Sequence, residues 1–487
     1  MRPTVAPWRR DAIGIALGAL LVRAFVVFWA GNRFPPAADG VYYDTIAWRI
    51  AHGQGYTWLW PDRVVTYAAH YPIGYPAIVA MLYAIFGHRP WVGAIPNAVC
   101  GALLTFAVHR IAAGETSRRT SAVAAALVAI HPSLVGYTPA LMTEGMAGGL
   151  LGLGAVVTLQ IRRANRVSLS GAKTWFDLLL LGSILGTATL VRPQSIIFAP
   201  AFGWIASAQT SPNSRARYRV GASAIALLGA LVVCSPWTVR NCVRMKSCAL
   251  VSVNAGWNLL IGTQTDGAGS WRPIVVPAAC ESVFDEAEKD ACFGRAAKKT
   301  ILEHPLDWLR RAPAKLSATL DYCGAAGWYL HASNPSAFSE RAKVRFGAIE
   351  TVYARFVLAT AVAASYLRLR GRAVYERADV WLMRSAKIGL LIGLAFAFST
   401  HAWPSYIMLT LALVAHVRTD SEAGVSSVLL VVLLATIGTH LTFFGAGRYA
   451  IQLLPFICLM ASRVLDGPLR KDFCQESTFP LPKREPF

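Results

Sequence analysis

The residues of this chain best equipped for chemistry sit in a few places. Asp39 and Asp44 stand five residues apart in the stretch Phe34-Pro35-Pro36-Ala37-Ala38-Asp39-Gly40-Val41-Tyr42-Tyr43-Asp44. Rings follow at Trp58, Trp60, Tyr67, His70, Tyr71 and Tyr75. A carboxylate can take the proton of an attacking hydroxyl, and a row of rings suits sugar faces and the headgroup level of a membrane alike. Glu144 is an isolated acid at the edge of an apolar run, where an ionisable group is costly unless used or paired. Arg192, Arg240 and Arg448 each flank an apolar run, and the planar guanidinium fork fits phosphate oxygens. Plainer roles compete. Asp39 suits a helix N-cap, Asp44 a solvated helix face, and His70 a structural hydrogen bond. The arginines could snorkel, or pair with Glu144 or Asp39.

The elements that must position these groups are mostly apolar. Of 487 residues, 55% are hydrophobic and 15% charged, against about 25% charged in soluble domains. Mean hydropathy is +0.44. Repeated apolar runs of roughly 20 residues match a ~30 Å hydrocarbon core crossed as helix. They predict about twelve transmembrane helices, near residues 12–30, 92–112, 120–137, 145–161, 175–190, 195–209, 219–237, 351–368, 384–399, 403–417, 425–444 and 449–464. The fold class is an all-α polytopic membrane protein, and the run at 12–30 is too long for a cleaved signal segment.

The net charge of +21 would point to nucleic acid in a soluble protein, but here it lies in loop clusters. These are Arg110, Arg118 and Arg119; Arg162, Arg163, Arg166 and Lys173; Arg215, Arg217 and Arg219; Arg368, Arg370, Arg372 and Arg377; and Arg463, Arg470 and Lys471. They fall on alternate loops, which assigns them to the cytoplasm. The outer side receives residues 31–89 and 238–350, and eleven of the 26 acidic residues lie in the second of these. The chain thus divides into an N-terminal transmembrane module, 1–237, including the first outer loop; an extracytoplasmic segment, 238–350; a C-terminal transmembrane module, 351–465; and a cytoplasmic tail, 466–487. In the first loop Val41, Tyr43, Ile46, Ala47 and Ile50 recur at helical spacing, as in an amphipathic interfacial helix. In the outer segment Cys280 and Cys292 could form a disulfide, with Cys242 and Cys248 as a rival pair. Glu281, Asp285, Glu286, Glu288 and Asp290 followed by Arg295, Lys298 and Lys299 predict a solvated helix covering the site.

Several motifs carry a resemblance. Asp39, Tyr43 and Ala47, then Gly53-Gln54-Gly55-Tyr56, then His70-Tyr71-Pro72-Ile73-Gly74-Tyr75-Pro76 resemble the first periplasmic loop of the GT-C glycosyltransferase superfamily. The branch is that of protein O-mannosyltransferases and aminoarabinose transferases. Thr143-Glu144, Val191-Arg192-Pro193, Pro236-Trp237-Thr238-Val239-Arg240-Asn241, Asn254-Ala255-Gly256-Trp257-Asn258-Leu259 and Gly447-Arg448-Tyr449 with Leu454-Pro455 are similar to later signatures in the same order. The resemblance implies inverting transfer of a sugar from a polyprenyl phosphate to an acceptor hydroxyl on a glycolipid, polysaccharide or protein. The site would lie on the outer side of a bacterial inner membrane. It makes Asp39 the general base, with Asp44 and Glu144 as further catalytic candidates. Tyr43, His70, Tyr71, Arg192, Arg240, Arg448 and Tyr449 become candidates for binding the donor and its phosphate. Metal use varies in the family, so a divalent metal stays open. A partly desolvated site is expected to raise the basicity of Asp39. The rival is a transporter or lipid flippase, which would place ionisable groups near the membrane midplane.

Overall fold

A computed structural model describes residues 7–164, 172–207, 215–264, 269–371, 377–420 and 423–466. All but the first residue of the predicted cytoplasmic tail, 466–487, lies outside the described residues. Among the described residues the structure is mostly helical, with a small antiparallel hairpin that pairs Thr57–Leu59 with Val65–Tyr67 and an isolated parallel bridge between Ser270 and Gly445. Among the described residues, eight helices are long and apolar enough to cross a membrane: Trp8–Ala30, Pro90–Ala112, Glu144–Ala164, Lys173–Val191, Ala216–Arg244, Glu340–Arg370, Asp379–Ala397 and Gly424–Thr442.

Four of the twelve predicted spans fall outside this set, three of them because the helix breaks. The stretch at 120–137 is a helix Arg118–Ala129 and a short helix Pro132–Gly136. That at 195–209 is a 3-10 turn Pro193–Ile197 and a helix Phe198–Ala206. That at 449–464 is a 3-10 turn Gly447–Gln452 and a helix Leu454–Ser462. Pro132, Pro193 and Pro455 each stand within the first two residues of the new element. A proline lacks the N–H that would continue the preceding ladder, so hydropathy stays high while the helix breaks. The fourth, Trp403–Thr419, is one unbroken helix of 17 residues, about 26 Å long, at the lower end of the lengths that cross a ~30 Å core.

Two predicted module boundaries fall inside continuous helices. The helix Arg215–Arg244 runs past residue 237, and Glu340–Arg370, capped by Ser339, begins before residue 351. Small residues bring spans close. A Cβ on Gly182 would collide with the Ala226 carbonyl oxygen, so only glycine lets the Lys173–Val191 helix pack backbone to backbone on Ala216–Arg244.

The segment between the first two of these helices forms the predicted helix, Asp39–Ala51, with Gly40, Tyr43, Ile46, Ala47 and Arg49 buried. Val41, expected on the apolar face, is exposed. Within residues 238–350 the mixed-charge helix is Glu286–Glu303, whose first turn is capped by the Asp285 carboxylate accepting from the Ala287 and Glu288 N–H groups. Cys280 is joined to Cys292 and Cys242 to Cys248, so the two pairs coexist and are not rivals.

Candidate active site

Asp39 is the first residue of its helix. The capping position belongs to Ala38, at φ 51° and ψ −131°, and no side chain caps the turn. The cap role for Asp39 is thereby overturned. Its carboxylate faces instead across the bundle, with Oδ2 2.7 Å from Arg448 Nη1 and Oδ1 accepting from the Tyr71 hydroxyl at 2.9 Å. A positive φ at alanine costs on the order of 1–3 kcal/mol. Backbone strain thus sits immediately before the candidate base.

Behind this pair lies a second. Arg192 Nη1 donates to Glu144 Oε1 at 2.8 Å, and Arg448 Nε is 3.8 Å from the same oxygen. Both guanidinium groups lie against the Tyr449 ring, 5.2 Å for Arg192 and 5.1 Å for Arg448. Arg448 Nη2 donates to the Tyr449 hydroxyl at 3.3 Å. Gln194, with its amide orientation assigned from the surrounding network, accepts from Arg192 Nε and Nη2 at 2.9 and 3.1 Å. Two arginines and two carboxylates so form one cluster of balanced charge. Each comes from a helix end: Asp39 opens Asp39–Ala51, Glu144 opens Glu144–Ala164, Arg192 follows Lys173–Val191, and Arg448 sits in the turn before Leu454–Ser462. Proline breaks place two of these arginines, since the 3-10 turn after Arg192 begins at Pro193 and the helix after the Arg448 turn has Pro455 as its second residue.

Burial alone would raise the Asp39 carboxyl. The Arg448 charge and hydrogen bond, with the Tyr71 hydroxyl, outweigh it and hold the group below its ordinary value. The expected gain in basicity is therefore absent from this arrangement, because the guanidinium compensates the carboxylate directly. Burial and the neighbouring Asp39 charge push the Tyr71 phenol up, so it remains a donor. Burial lowers His70 to about 4, leaving a neutral ring at pH 7. It packs edge-on to Tyr71 and Trp257, at 4.9 and 5.2 Å.

Other predicted residues are placed elsewhere. Asp44 accepts from Tyr83 at 2.6 Å and lies 3.0 Å from His88 Nε2, tying its helix to Gly74–Phe86 and its following turn. Arg240 donates to the carbonyls of Ala68 and Tyr56 at 2.8 and 2.9 Å and stacks over Trp237 at 4.7 Å. It braces the loop's backbone and stands apart from the cluster's hydrogen bonds. Tyr43 is buried behind the site, edge-on to Tyr71 and Tyr75 at 5.1 and 5.5 Å. Among the described residues no three His, Cys, Asp or Glu side chains gather as a metal site would need. Asp39 and Glu144 are turned to arginines, which is a poor ligand set for a divalent ion.

Tyr329, in the helix Ala325–Ser333, acts on the site through backbone. Its buried hydroxyl accepts from the backbone N–H of Ala37 and of Leu141, both at 3.2 Å. These peptides lead into Asp39 and Glu144, so one phenol fixes both approaches. A Cβ on Gly40 would stand 2.8 Å from that oxygen, which explains glycine beside Asp39. Glu286 was read only as part of a solvated face. Its carboxylate accepts from Ala69 N at 2.6 Å, locking the His70–Tyr71 loop beneath the outer segment, and burial raises it to about 7. Neither residue has a sequence signal, since both act on backbone far away in the chain.

A family model described as dolichyl-phosphate-mannose-protein mannosyltransferase matches residues 70–239. No curated protein sequence matches the chain. Among solved structures, the oligosaccharyltransferase of Archaeoglobus fulgidus in its apo form is similar at 12% identity and TM-score 0.48, over 93% of this chain and 50% of that one. The same organism's AglB, in complex with an inhibitory peptide and a dolichol-phosphate, gives 13% and 0.45 over 92% and 50%. ArnT from Cupriavidus metallidurans, bound to undecaprenyl phosphate, gives 12% and 0.39 over 93% and 78%. The chain spans about half the length of the archaeal enzymes. The segment from His70 to Val239, which holds Tyr71, Glu144 and Arg192, is similar to a lipid-phosphate-sugar glycosyltransferase family of the GT-C superfamily.

Proposed function

We propose that this chain is an inverting GT-C glycosyltransferase that moves a sugar from a polyprenyl phosphate to an acceptor hydroxyl, at a site on the outer face of the membrane. The observation that carries the reading is the contact of Asp39 with Arg448, backed by Glu144 and Arg192. It joins a candidate base to two cations able to take a phosphate, and it draws on the first loop, the family-matched segment and the C-terminal helices at once.

In the reaction the acceptor oxygen attacks the anomeric carbon while its proton passes to Asp39. The bond from that carbon to the phosphate oxygen breaks, and its electron pair leaves with the polyprenyl phosphate. Arg448 and Arg192 bear the charge gathering on that oxygen. Arg448 then has two anionic claimants. A phosphate that draws its fork leaves Asp39 with burial and Tyr71 alone, and burial raises a carboxyl. The base thus gains strength as the donor seats. Tyr71 keeps the carboxylate aimed by donating to Oδ1.

The test is to supply the purified protein with polyprenyl-phosphate sugars and acceptor lipids. Release of polyprenyl phosphate coupled to a glycosylated acceptor is expected; a panel of such donors that all stay intact would refute the reading. Mass spectrometry of cell-envelope glycans with and without the gene then names sugar and acceptor.

A further inference from the structure

Three leucines at the end of the helix Glu286–Glu303 and in the short helix after it are left uncovered by protein. Leu302 is 81% exposed, Leu306 65% and Leu309 56%, although burial of each would stabilise the fold. Leu306 and Leu309 belong to the helix Pro305–Arg310, in which no residue is buried, and at a spacing of three they share one face. Basic side chains border them. Between Arg295 and Arg311 the chain carries five lysines and arginines against two acids, Glu303 and Asp307. Those acids pair with Lys299 at 3.9 Å and Arg310 at 3.1 Å in the open, so the segment keeps an excess of positive charge.

Two contacts fix the level of this patch. Lys315, in the following helix Ala312–Leu320, donates from Nζ to the Leu441 and Thr442 carbonyls at 3.1 and 3.5 Å. These are the last carbonyls of the membrane-spanning helix Gly424–Thr442. The Trp308 ring lies 5.1 Å from the same Nζ. Trp308 thus stands at the end of a span, the headgroup level at which tryptophan gathers, with Leu306 and Leu309 beside it. A second segment reaches the same level. Gly445, three residues past that span, donates from its backbone N–H to the Gly269 carbonyl at 2.8 Å, and nearby Trp271 is 57% exposed.

An exposed apolar patch rimmed by charge marks an interaction surface. A second copy of this chain meeting the first about a twofold axis would set the excess positive charge against itself. An anionic lipid surface suits both features, because its acyl boundary takes leucine and tryptophan while its phosphates draw lysine and arginine. We propose that residues 295–311 dock on the bilayer surface at the Arg448 end of the span Gly424–Thr442, seating Leu302, Leu306, Leu309 and Trp308 in the lipid interface with anionic phospholipid as the partner. The contact ties residues 238–350 to the membrane as well as to the bundle, and it is independent of the reaction at Asp39.

Two measurements on the full chain in nanodiscs of mixed phosphatidylglycerol and phosphatidylcholine test this. A nitroxide attached at Leu306→Cys, with signal from the unaltered protein subtracted, should be reached by oxygen and shielded from a water-soluble nickel chelate. A label more open to nickel than to oxygen overturns the proposal. So does spin–spin coupling between labelled chains, which marks a second copy as the cover. Thermal unfolding tests the headgroup. Adding phosphatidylglycerol to phosphatidylcholine should raise the wild-type Tm, and the triple variant Lys298→Gln, Lys299→Gln, Arg310→Gln should lose about 2 °C or more of that rise. No rise in the wild type, or a variant that keeps all of it, overturns the anionic partner.

Discussion

Replacing Arg448 by methionine removes the cation beside Asp39 while keeping an apolar stem of similar reach. Breaking a fully buried ion pair costs about 3–5 kcal/mol, and an exposed one about 0–1 kcal/mol. The two side chains here are 22% and 27% exposed, so the loss falls between, at about 2 kcal/mol. Its dependence on pH is more telling than its size. In the unaltered protein the Asp39 carboxyl is held low, so its contribution is fully present above the unfolded value near 3.9 and is lost as pH falls through the depressed folded value. In Arg448→Met burial is unopposed by the guanidinium and the folded value rises. The contribution then reverses, being lost as pH rises through the raised value. Thermal unfolding of both proteins in detergent, from about pH 3 to about pH 7, should show a stability gap that is smallest in acid and widens toward neutrality. A gap that stays constant across that range, or no gap, refutes the claim that Arg448 compensates Asp39. The same variant should bind polyprenyl phosphate roughly tenfold to a hundredfold more weakly, the equivalent of one lost charge-assisted hydrogen bond.

Tyr329→Phe leaves the ring and strips the shared acceptor from Ala37 N and Leu141 N. Turnover should fall by about tenfold or more while donor affinity holds, because the approaches to Asp39 and Glu144 loosen together; equal loss in both constants would point to general destabilisation. Glu286→Gln should flatten the pH dependence of stability. The wild-type carboxyl is raised from 4.5 to about 7, so its contribution is present below the lower value and lost as pH rises through the upper one. Titrated unfolding of wild type and variant over that window checks it. Replacing Cys280 and Cys292 together by serine opens a loop of sequence separation 12 and should lower stability by about 2–3 kcal/mol. Denaturant unfolding reads this directly.

The membrane-spanning, all-helical character was legible because hydropathy over about 20 residues reports burial in lipid almost directly. The twelve-span expectation failed where hydropathy and helix continuity part. Residues at 195–209 and 449–464 are apolar enough for a span, yet Pro193 and Pro455 restart the chain as short elements, and the two arginines of the site stand beside those breaks. Asp39, Glu144, Arg192, Arg448 and Tyr71 were each visible by type and flanking sequence, and the structure gathers all five. Nothing in the chain's linear order separated them from Arg240 and Asp44, whose partners are a loop backbone and a neighbouring helix.

If Asp39 takes the acceptor's proton, the variant Asp39→Asn loses transfer. Asparagine keeps the shape and an oxygen for Tyr71 but cannot serve as the base. Turnover of a polyprenyl-phosphate sugar by the purified variant should fall at least about a hundredfold, with donor binding and melting behaviour showing that the protein is folded and loaded. Wild-type turnover by a folded Asp39→Asn protein would contradict the account.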